Sequence, residues 1–224
     1  RRRMDSADLD AMLVTDAVDV RYLTDFAGDD SWAIVTPRLV YLFSDFRFDE
    51  QIDRDCPWVK KVIRSGAMID AVASVVGDTK IATLGIQSEH VTVATQRKLA
   101  DALPDLKLEP TLDWLIDQRA VKDETELRQL RRALALQEQA WSQTLDQIRP
   151  GMSESEVVTL LEYNMRWIGG EGPSFTSIVA IGPNGSLPHH VPGRTRVKAN
   201  TPVLIDFGNT AGGYCSDLTR VVAM

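Results

Sequence analysis

The feature that most constrains the fold is the alternation, over the first half of the chain, of short apolar runs with stretches at helical spacing. Short apolar runs bounded by turn-favouring residues are typical of buried strands. Helical stretches around 68–76 and 92–103 separate the later runs. The apolar runs lie at 11–15, 32–36, 39–43, 58–63 and 80–84. Strands that alternate with helices predict an α/β layered domain.

The second half of the chain has a different pattern. A polar segment at 115–123 precedes a long amphipathic helix predicted at 124–148. Its apolar side chains at helical spacing are Leu127, Leu130, Leu134 and Trp141, with charged residues between them. Ser153 and Glu156 then form the S-x-x-E capping box of a helix that continues to about Trp167. Strand patterns follow at 175–181, 202–207 and 214–222, so this half is predicted to be α+β.

Composition excludes several classes of partner. The chain has 32 acidic and 25 basic residues and a formal charge of -7, which argues against a broad surface for a polyanion such as nucleic acid. Its apolar runs are far shorter than the roughly 20 residues that cross a bilayer, and no signal-like segment opens it. We therefore expect a cytoplasmic protein without membrane association. The two cysteines, Cys56 and Cys215, are expected to be reduced, buried thiols.

Two carboxylates each interrupt an apolar strand: Asp206 in V-L-I-D-F-G at 203–208, and Asp217 in C-S-D-L-T-R at 215–220. If the intervening loop closes about Ala211 and Gly212, Asp206 lies directly opposite Asp217, with Cβ atoms roughly 5 Å apart. Like charges at that distance are unfavourable unless a proton or a cation lies between them, and a divalent metal such as Mn(II) suits oxygen ligands. Spacing alone leaves open that one aspartate only faces solvent beside a glycine-rich turn.

Motifs around these residues resemble a known family. The D-F-G of 206–208, the eleven-residue step to Asp217 and the S-D-L-T-R of 216–220 resemble the D-x-G and S-D-x-T-R segments of the M24 pita-bread metallopeptidases. The segment 182–189 is similar to the family segment that ends in Pro-His. The resemblance implies two divalent metal ions, Mn(II) with Co(II) or Zn(II) as alternatives. Asp206 would chelate one metal, Asp217 would bridge both, and His189 would contact the scissile carbonyl or stabilise the intermediate.

Two adjacent histidines and a threonine also lie within or directly beside these motifs. Adjacent side chains of an extended segment face opposite sides, so only one of His189 and His190 can face a substrate. We favour His189 and expect His190, like His90, to be a surface residue. Thr219 lies on the same strand face as Asp217, and its hydroxyl is expected to orient that carboxylate.

The first half carries its own resemblance. R-Y-L-T-D-F at 21–26 and S-D-F-R-F at 44–48 resemble the N-I-R-Y-L-T-G-F and D-x-R-Y segments of the creatinase/prolidase N-terminal domain, with Asp25 replacing glycine and Phe48 replacing tyrosine. Residues 118–127 resemble the R-x-x-K-x-x-x-E-[LI] segment that leads into the catalytic domain. We therefore expect an α/β creatinase/prolidase-type domain at 1–117 and an incomplete α+β pita-bread domain at 118–224.

The resemblance implies a metal-dependent exopeptidase of the Xaa-Pro aminopeptidase or prolidase type, a homodimer that acts on proline-containing peptides. The family completes its metal site with one histidine and two glutamates from the second half of the catalytic domain. None occurs among the seven residues after Asp217, so the chain as given is expected to be a truncated, inactive form. Alternatives are a metal-free creatinase-like amidinohydrolase, a non-catalytic pita-bread binding module, and an unrelated α/β fold with a chance carboxylate pair. Retention of both aspartates favours the peptidase.

Overall fold

A computed structural model describes residues 1–223, and the chain divides into two units, Arg1–Val121 and Lys122 onward. Met224, the last residue of the strand-like run that ends the sequence, lies outside the described residues.

The first unit is built on one six-stranded mixed sheet in the order β4-β3-β2-β1-β5-β6. The β1/β5, β5/β6 and β3/β4 pairs are parallel, whereas β2 is antiparallel to both neighbours. Its strands are β1 Ala11–Val14, β2 Trp32–Val35, β3 Val40–Asp45, β4 Lys60–Arg64, β5 Thr83–Gln87 and β6 Lys107–Thr111. The first five correspond to the predicted apolar runs. Strand β6 was not predicted, because Glu109 and Pro110 interrupt its apolar character, as an edge strand allows.

Both faces of this sheet are buried. Within β1, Met12 and Val14 pack into one apolar cluster with Phe26 and Ile52, while Ala11 and Leu13 pack into a second. Alternation along one strand explains this, because successive side chains point to opposite faces. The helices of the unit are α1 Arg2–Ser6, α2 Ala17–Thr24, α3 Asp49–Asp55, α4 Met68–Thr79, α5 Val93–Ala102 and α6 Trp114–Ala120, with a 3-10 helix at Phe46–Phe48. The predicted α/β layering is confirmed, and the predicted boundary at residue 117 falls within α6.

The second unit is α+β, as predicted. Helices α7 Glu124–Gln147 and α8 Glu154–Trp167 accompany two three-stranded sheets, ordered β11-β10-β7 and β12-β9-β8. Val157 and Leu161 of α8 share one core with Val203, Ile205 and Phe207. The strands are β7 Gly172–Pro173, β8 Ile178–Ile181, β9 Pro202–Phe207, β10 Asn209–Ala211, β11 Tyr214–Cys215 and β12 Leu218–Ala223, and a 3-10 helix spans Gly182–Ser186.

The buried face of helix α7 lies beside its apolar residues at helical spacing rather than along them. Leu134 is exposed, and Leu127, Leu130 and Trp141 are only partly buried. The buried positions instead carry small or polar side chains: Glu126, Ala133, Gln137, Ala140 and Thr144. Small side chains let the helix backbone approach α8 and the β10–β11 hairpin, which both pack against it.

Two sequence-level details have opposite outcomes. Ser153 and Glu156 form the predicted capping box, in which the Ser153 hydroxyl accepts from Glu156 N and Glu156 Oε2 accepts from Ser153 N. Both cysteines are free, but only Cys56 is buried, so the prediction of a buried Cys215 was wrong.

Among residues 1–223, no helix has both the length and the apolar character that a membrane span requires.

Candidate metal centre

The two predicted metal ligands lie on one hairpin whose register differs from the prediction. Strands β9 and β12 pair antiparallel, with Asp206 opposite Thr219, and the tip pairs Ala211 with Tyr214. The turn therefore consists of Gly212 and Gly213, with φ of 60° and 77°. Two-residue hairpin turns of this kind need positive φ at both central residues, which glycine adopts at no steric cost. The predicted closure about Ala211 and Gly212 was wrong, and Asp206 does not lie opposite Asp217.

Asp206 lies on the face of β9 away from the core. Val203, Ile205 and Phe207 are buried on the inner face, whereas Asp206 is half-buried on the other. The Thr219 hydroxyl donates a hydrogen bond to Asp206 Oδ1 at 2.8 Å. The Thr219 hydroxyl was predicted to orient Asp217, and in the structure it binds Asp206 instead.

Asp217 is exposed and lies between β11 and β12, at the point where the hairpin leaves one sheet for the other. Ser216 N donates to Asn209 O at 2.9 Å, and Leu218 pairs with Phe207, so the position across from Asp217 is Gly208. Asp217 is thus the diagonal neighbour of Asp206. In a regular ladder such neighbours are about 7–8 Å apart, which allows two carboxylates to share a cation without direct opposition of their charges.

Helix α7 supports the bend of this hairpin. Gln137, fully buried, donates its Nε2 hydrogen to Phe207 O. The Ser216 hydroxyl accepts from Asn209 N at 3.2 Å and lies 3.3 Å from Ala133 O. Neither supporting role was predicted, although a glutamine on the buried face of an amphipathic helix is a usable signal, since buried polar groups need partners.

The donor set at the hairpin fits a divalent cation. Both side chains offer carboxylate oxygens, which hard and borderline metals such as Mn(II) accept. Within the described part of the chain, neither Asp206 nor Asp217 forms an ion pair with a lysine, arginine or histidine. The Thr219 hydrogen bond occupies one site on Asp206 and leaves its other oxygen available.

His189 lies at the tip of a turn. His190 N donates to Leu187 O at 3.2 Å, which closes a β-turn with Pro188 and His189 at its central positions. The expectation of an extended segment was wrong, because proline presets the φ of the first central position of a turn. The His189 side chain is exposed.

His190 contacts a buried carboxylate and is itself largely buried, so the prediction that it is a surface residue was wrong. Its Nε2 lies 2.9 Å from Glu154 Oε2, and its side chain is 13% exposed. Glu154 is fully buried and accepts three further hydrogen bonds. Burial raises the pKa of Glu154, but the hydrogen bonds from Asn184, His190 and two backbone amides outweigh burial and hold the pKa below its usual value. No sequence signal marked Glu154, since acidic residues are common in the first turn of a helix.

A second cluster of possible ligands lies in the first unit. Side-chain atoms of Asp16, Asp19 and His90 lie within 4.8 Å of one another. Asp19 is fully buried, but its carboxylate already accepts hydrogen bonds from Arg119 Nη1 and Gln87 Nε2, each at 2.7 Å. Because the guanidinium already neutralises this carboxylate, we interpret the cluster as a structural link between α2 and α6.

Comparison with known proteins identifies the family. Residues 1–121 match the Creatinase/Prolidase N-terminal domain, and residues 128–224 match metallopeptidase family M24. The chain belongs to the M24 metallopeptidase family. An uncharacterized peptidase of Bacillus subtilis is similar to this M24 chain, with 32% identity over 216 residues that cover 96% of the chain and 61% of the relative.

Solved structures show the same M24 architecture. An X-Pro aminopeptidase from Thermotoga maritima superposes with a TM-score of 0.93 at 32% identity, covering 99% of this chain and 65% of that one. An Xaa-Pro dipeptidase from Bacillus anthracis gives 0.92 at 32% identity, covering 100% and 62%. The M24 resemblance and the predicted fold class are confirmed, and the chain spans less than two thirds of the length of these relatives.

Proposed function

We propose that the whole protein is a metal-dependent exopeptidase that hydrolyses the bond before proline, as an Xaa-Pro aminopeptidase or prolidase does. The observation that carries the proposal is the diagonal placement of Asp206 and Asp217 on one hairpin, with Thr219 bonded to Asp206. The likeness to an X-Pro aminopeptidase and an Xaa-Pro dipeptidase supports the substrate class.

Each residue has a distinct task in this proposal. Asp206 would hold one divalent ion through the oxygen that Thr219 leaves free, and exposed Asp217 at the bend would offer its carboxylate to both ions. When bound, two ions of Mn(II), or alternatively Co(II) or Zn(II), would act as Lewis acids and activate water. His189, exposed at its turn, contacts the scissile carbonyl. Proline substrates suit a dedicated enzyme, because the ring removes the backbone N–H and fixes φ.

Three broader properties belong to the same proposal. The protein is a cytoplasmic homodimer, which cell fractionation and sedimentation would test. The 224 residues alone bind metal weakly and do not cleave peptides, because the further histidine and two glutamates that the family uses are not among the candidate ligands described above.

The test compares this chain with the protein expressed from its complete reading frame. Mn(II) binding is measured by calorimetry, and cleavage by release of the residue before proline. We expect Asp206→Asn and Asp217→Asn each to lower kcat/KM by at least about 100-fold, since ligand loss exceeds the 10- to 100-fold typical of ligand-supporting residues. Asp146→Asn, which removes an exposed carboxylate of α7, is the matched control and should leave both measurements unchanged.

Each other outcome has a defined meaning. A chelator should abolish cleavage and Mn(II) should restore it. Hydrolysis that survives chelation would favour the amidinohydrolase alternative. If the complete protein neither binds metal nor cleaves the peptides, the peptidase proposal is rejected in favour of the binding module.

A further inference from the structure

We propose that Glu154 is a positioning residue, whose buried carboxylate holds residues 181–193 in the conformation that presents His189 to the substrate. This inference rests on the function proposed above, and its test is designed so that the two can fail separately.

The carboxylate of Glu154 is shared between the two ends and the middle of this loop. Oε1 accepts from Ile181 N at 2.9 Å and from Asn184 Nδ2 at 2.8 Å. Oε2 accepts from Gly193 N at 2.9 Å and lies 2.9 Å from His190 Nε2. Each oxygen therefore binds two groups, and the four contacts connect parts of the loop that are distant in sequence.

The first turn of α8 also holds the end of this loop and the residues directly after it. Glu154 N donates to Thr195 O at 3.0 Å, and Ser155 N donates to Gly193 O at 3.1 Å. The Ser155 hydroxyl lies 3.1 Å from Pro192 O and 3.0 Å from Gly193 O. The loop is thus fixed to a rigid helix rather than only to itself, which is the arrangement that precise sites require.

The position of His189 follows from these contacts. His190 points inward to Glu154, and the β-turn closed by His190 N and Leu187 O leaves His189 exposed at its second central position. Movement of His190 away from Glu154 would displace the neighbouring His189 as well. Misplacement of a reacting group by about 1 Å can cost about 100-fold in rate.

A carboxylate is the side chain that suits all four contacts. Glutamine has nearly the same shape, but its amide offers one acceptor oxygen and an NH2 group that only donates. In Glu154→Gln the NH2 group can replace either oxygen. If it replaces Oε1, it faces Asn184 and the Ile181 amide loses its acceptor; if it replaces Oε2, it faces His190 and the Gly193 amide loses its acceptor. Shape is conserved in this variant while the hydrogen bonding is not.

The experiment has two parts. Hydrogen exchange on this chain measures protection of the Ile181 and Gly193 amides, and steady-state kinetics on the complete protein separate kcat from KM. We expect Glu154→Gln to lose protection at one of these two amides, the one that faces the new NH2 group, and to lower kcat by about 10- to 100-fold, while KM and Mn(II) affinity stay within about threefold. Glu156→Gln is the matched control: it removes a carboxylate from the same helical turn that contacts Ser153 and Arg196, which lie outside residues 181–193.

The possible results distinguish a positioning role of Glu154 from a merely structural one. Unchanged amide exchange in Glu154→Gln, or lost protection with unchanged kcat, would overturn the positioning role, and so would an equal loss of kcat in Glu156→Gln. If Glu154→Gln does not fold, Glu154→Asp keeps the charge and shortens the side chain by one methylene; unchanged kcat in that variant would also overturn it. If the complete wild-type protein does not cleave Xaa-Pro peptides, the proposed function fails, while the exchange data still decide whether Glu154 holds the loop.

Discussion

Gly208 occupies the bend of the hairpin formed by β9 to β12, which carries the candidate metal ligands, and a side chain has no space there. A Cβ atom there would lie 2.0 Å from Ser174 Oγ and 2.2 Å from the carbonyl oxygen of Ser216. The second of these neighbours is backbone and cannot rotate away. Gly208 therefore lets two segments approach at the level of Asp217, which lies across the hairpin.

We expect Gly208→Ala to lower the free energy of unfolding of the second unit by about 1–3 kcal/mol, because overpacking forces its neighbours apart. Urea unfolding measures the change. Gly185→Ala is the control, since its nearest neighbour is Leu204 Cβ at an ordinary 3.8 Å. An equal effect of both substitutions would contradict the steric explanation.

At the scale of elements, charged side chains link the ends of β3 and β4 in the first unit. Arg47 donates to both oxygens of Asp45, through Nε at 2.9 Å and Nη2 at 2.6 Å. Arg64 of β4 pairs with Asp30 and lies 3.6 Å from Asp45. Hydrogen bonding by Arg47 lowers the pKa of Asp45 from 3.8 to about 2, and the charge of Arg64 adds to this effect.

This pKa shift predicts a pH dependence. The pKa of Asp45 is lower in the folded state than in the unfolded state, so its stabilising contribution is present above about pH 4 and is lost as the pH falls towards 2. The difference in Tm between the wild type and Asp45→Asn should be constant from pH 7 to 5 and shrink below pH 4. Asp105→Asn, which changes an exposed turn residue, should show no such trend, and a gap independent of pH would contradict the assignment.

The sequence predicted elements better than it predicted their contacts. Apolar periodicity located β1 to β5, α7 and the capped start of α8, because burial and capping leave local signals. Motifs located Asp206, Asp217 and His189, whose roles remain predictions. The pairing register was missed, because two adjacent glycines shift a turn by one residue while apolar spacing stays the same. Glu154 and Gln137 were missed because their partners are far away in sequence.

At the scale of the whole molecule, each unit has its own core. The first unit buries both faces of its sheet, and α6 completes one of them with Leu115. Buried Asp19 pairs with Arg119, so the last helix of the unit is tied to α2 within the same unit.

We therefore expect residues 1–121 to fold alone and to melt in a single cooperative transition, measured by circular dichroism and calorimetry. A shorter chain of residues 1–106 is the matched control. It lacks β6, Leu115 and Arg119, and it should lose cooperativity because a cavity and an unpaired buried carboxylate remain. A non-cooperative melt of residues 1–121 would show that the unit depends on the rest of the chain.

The hairpin that carries Asp206 and Asp217 belongs to two sheets, since its base pairs with β8 and its tip with β7. A residue inserted into one arm between Phe207 and Asp217 would change the strand pairing in both sheets. A slip by one residue turns every following side chain to the opposite face, so Thr219 would move away from Asp206. The pairing of the hairpin with two sheets therefore fixes the eleven-residue interval between the two aspartates, so that an insertion or deletion between them is not tolerated without a change of register.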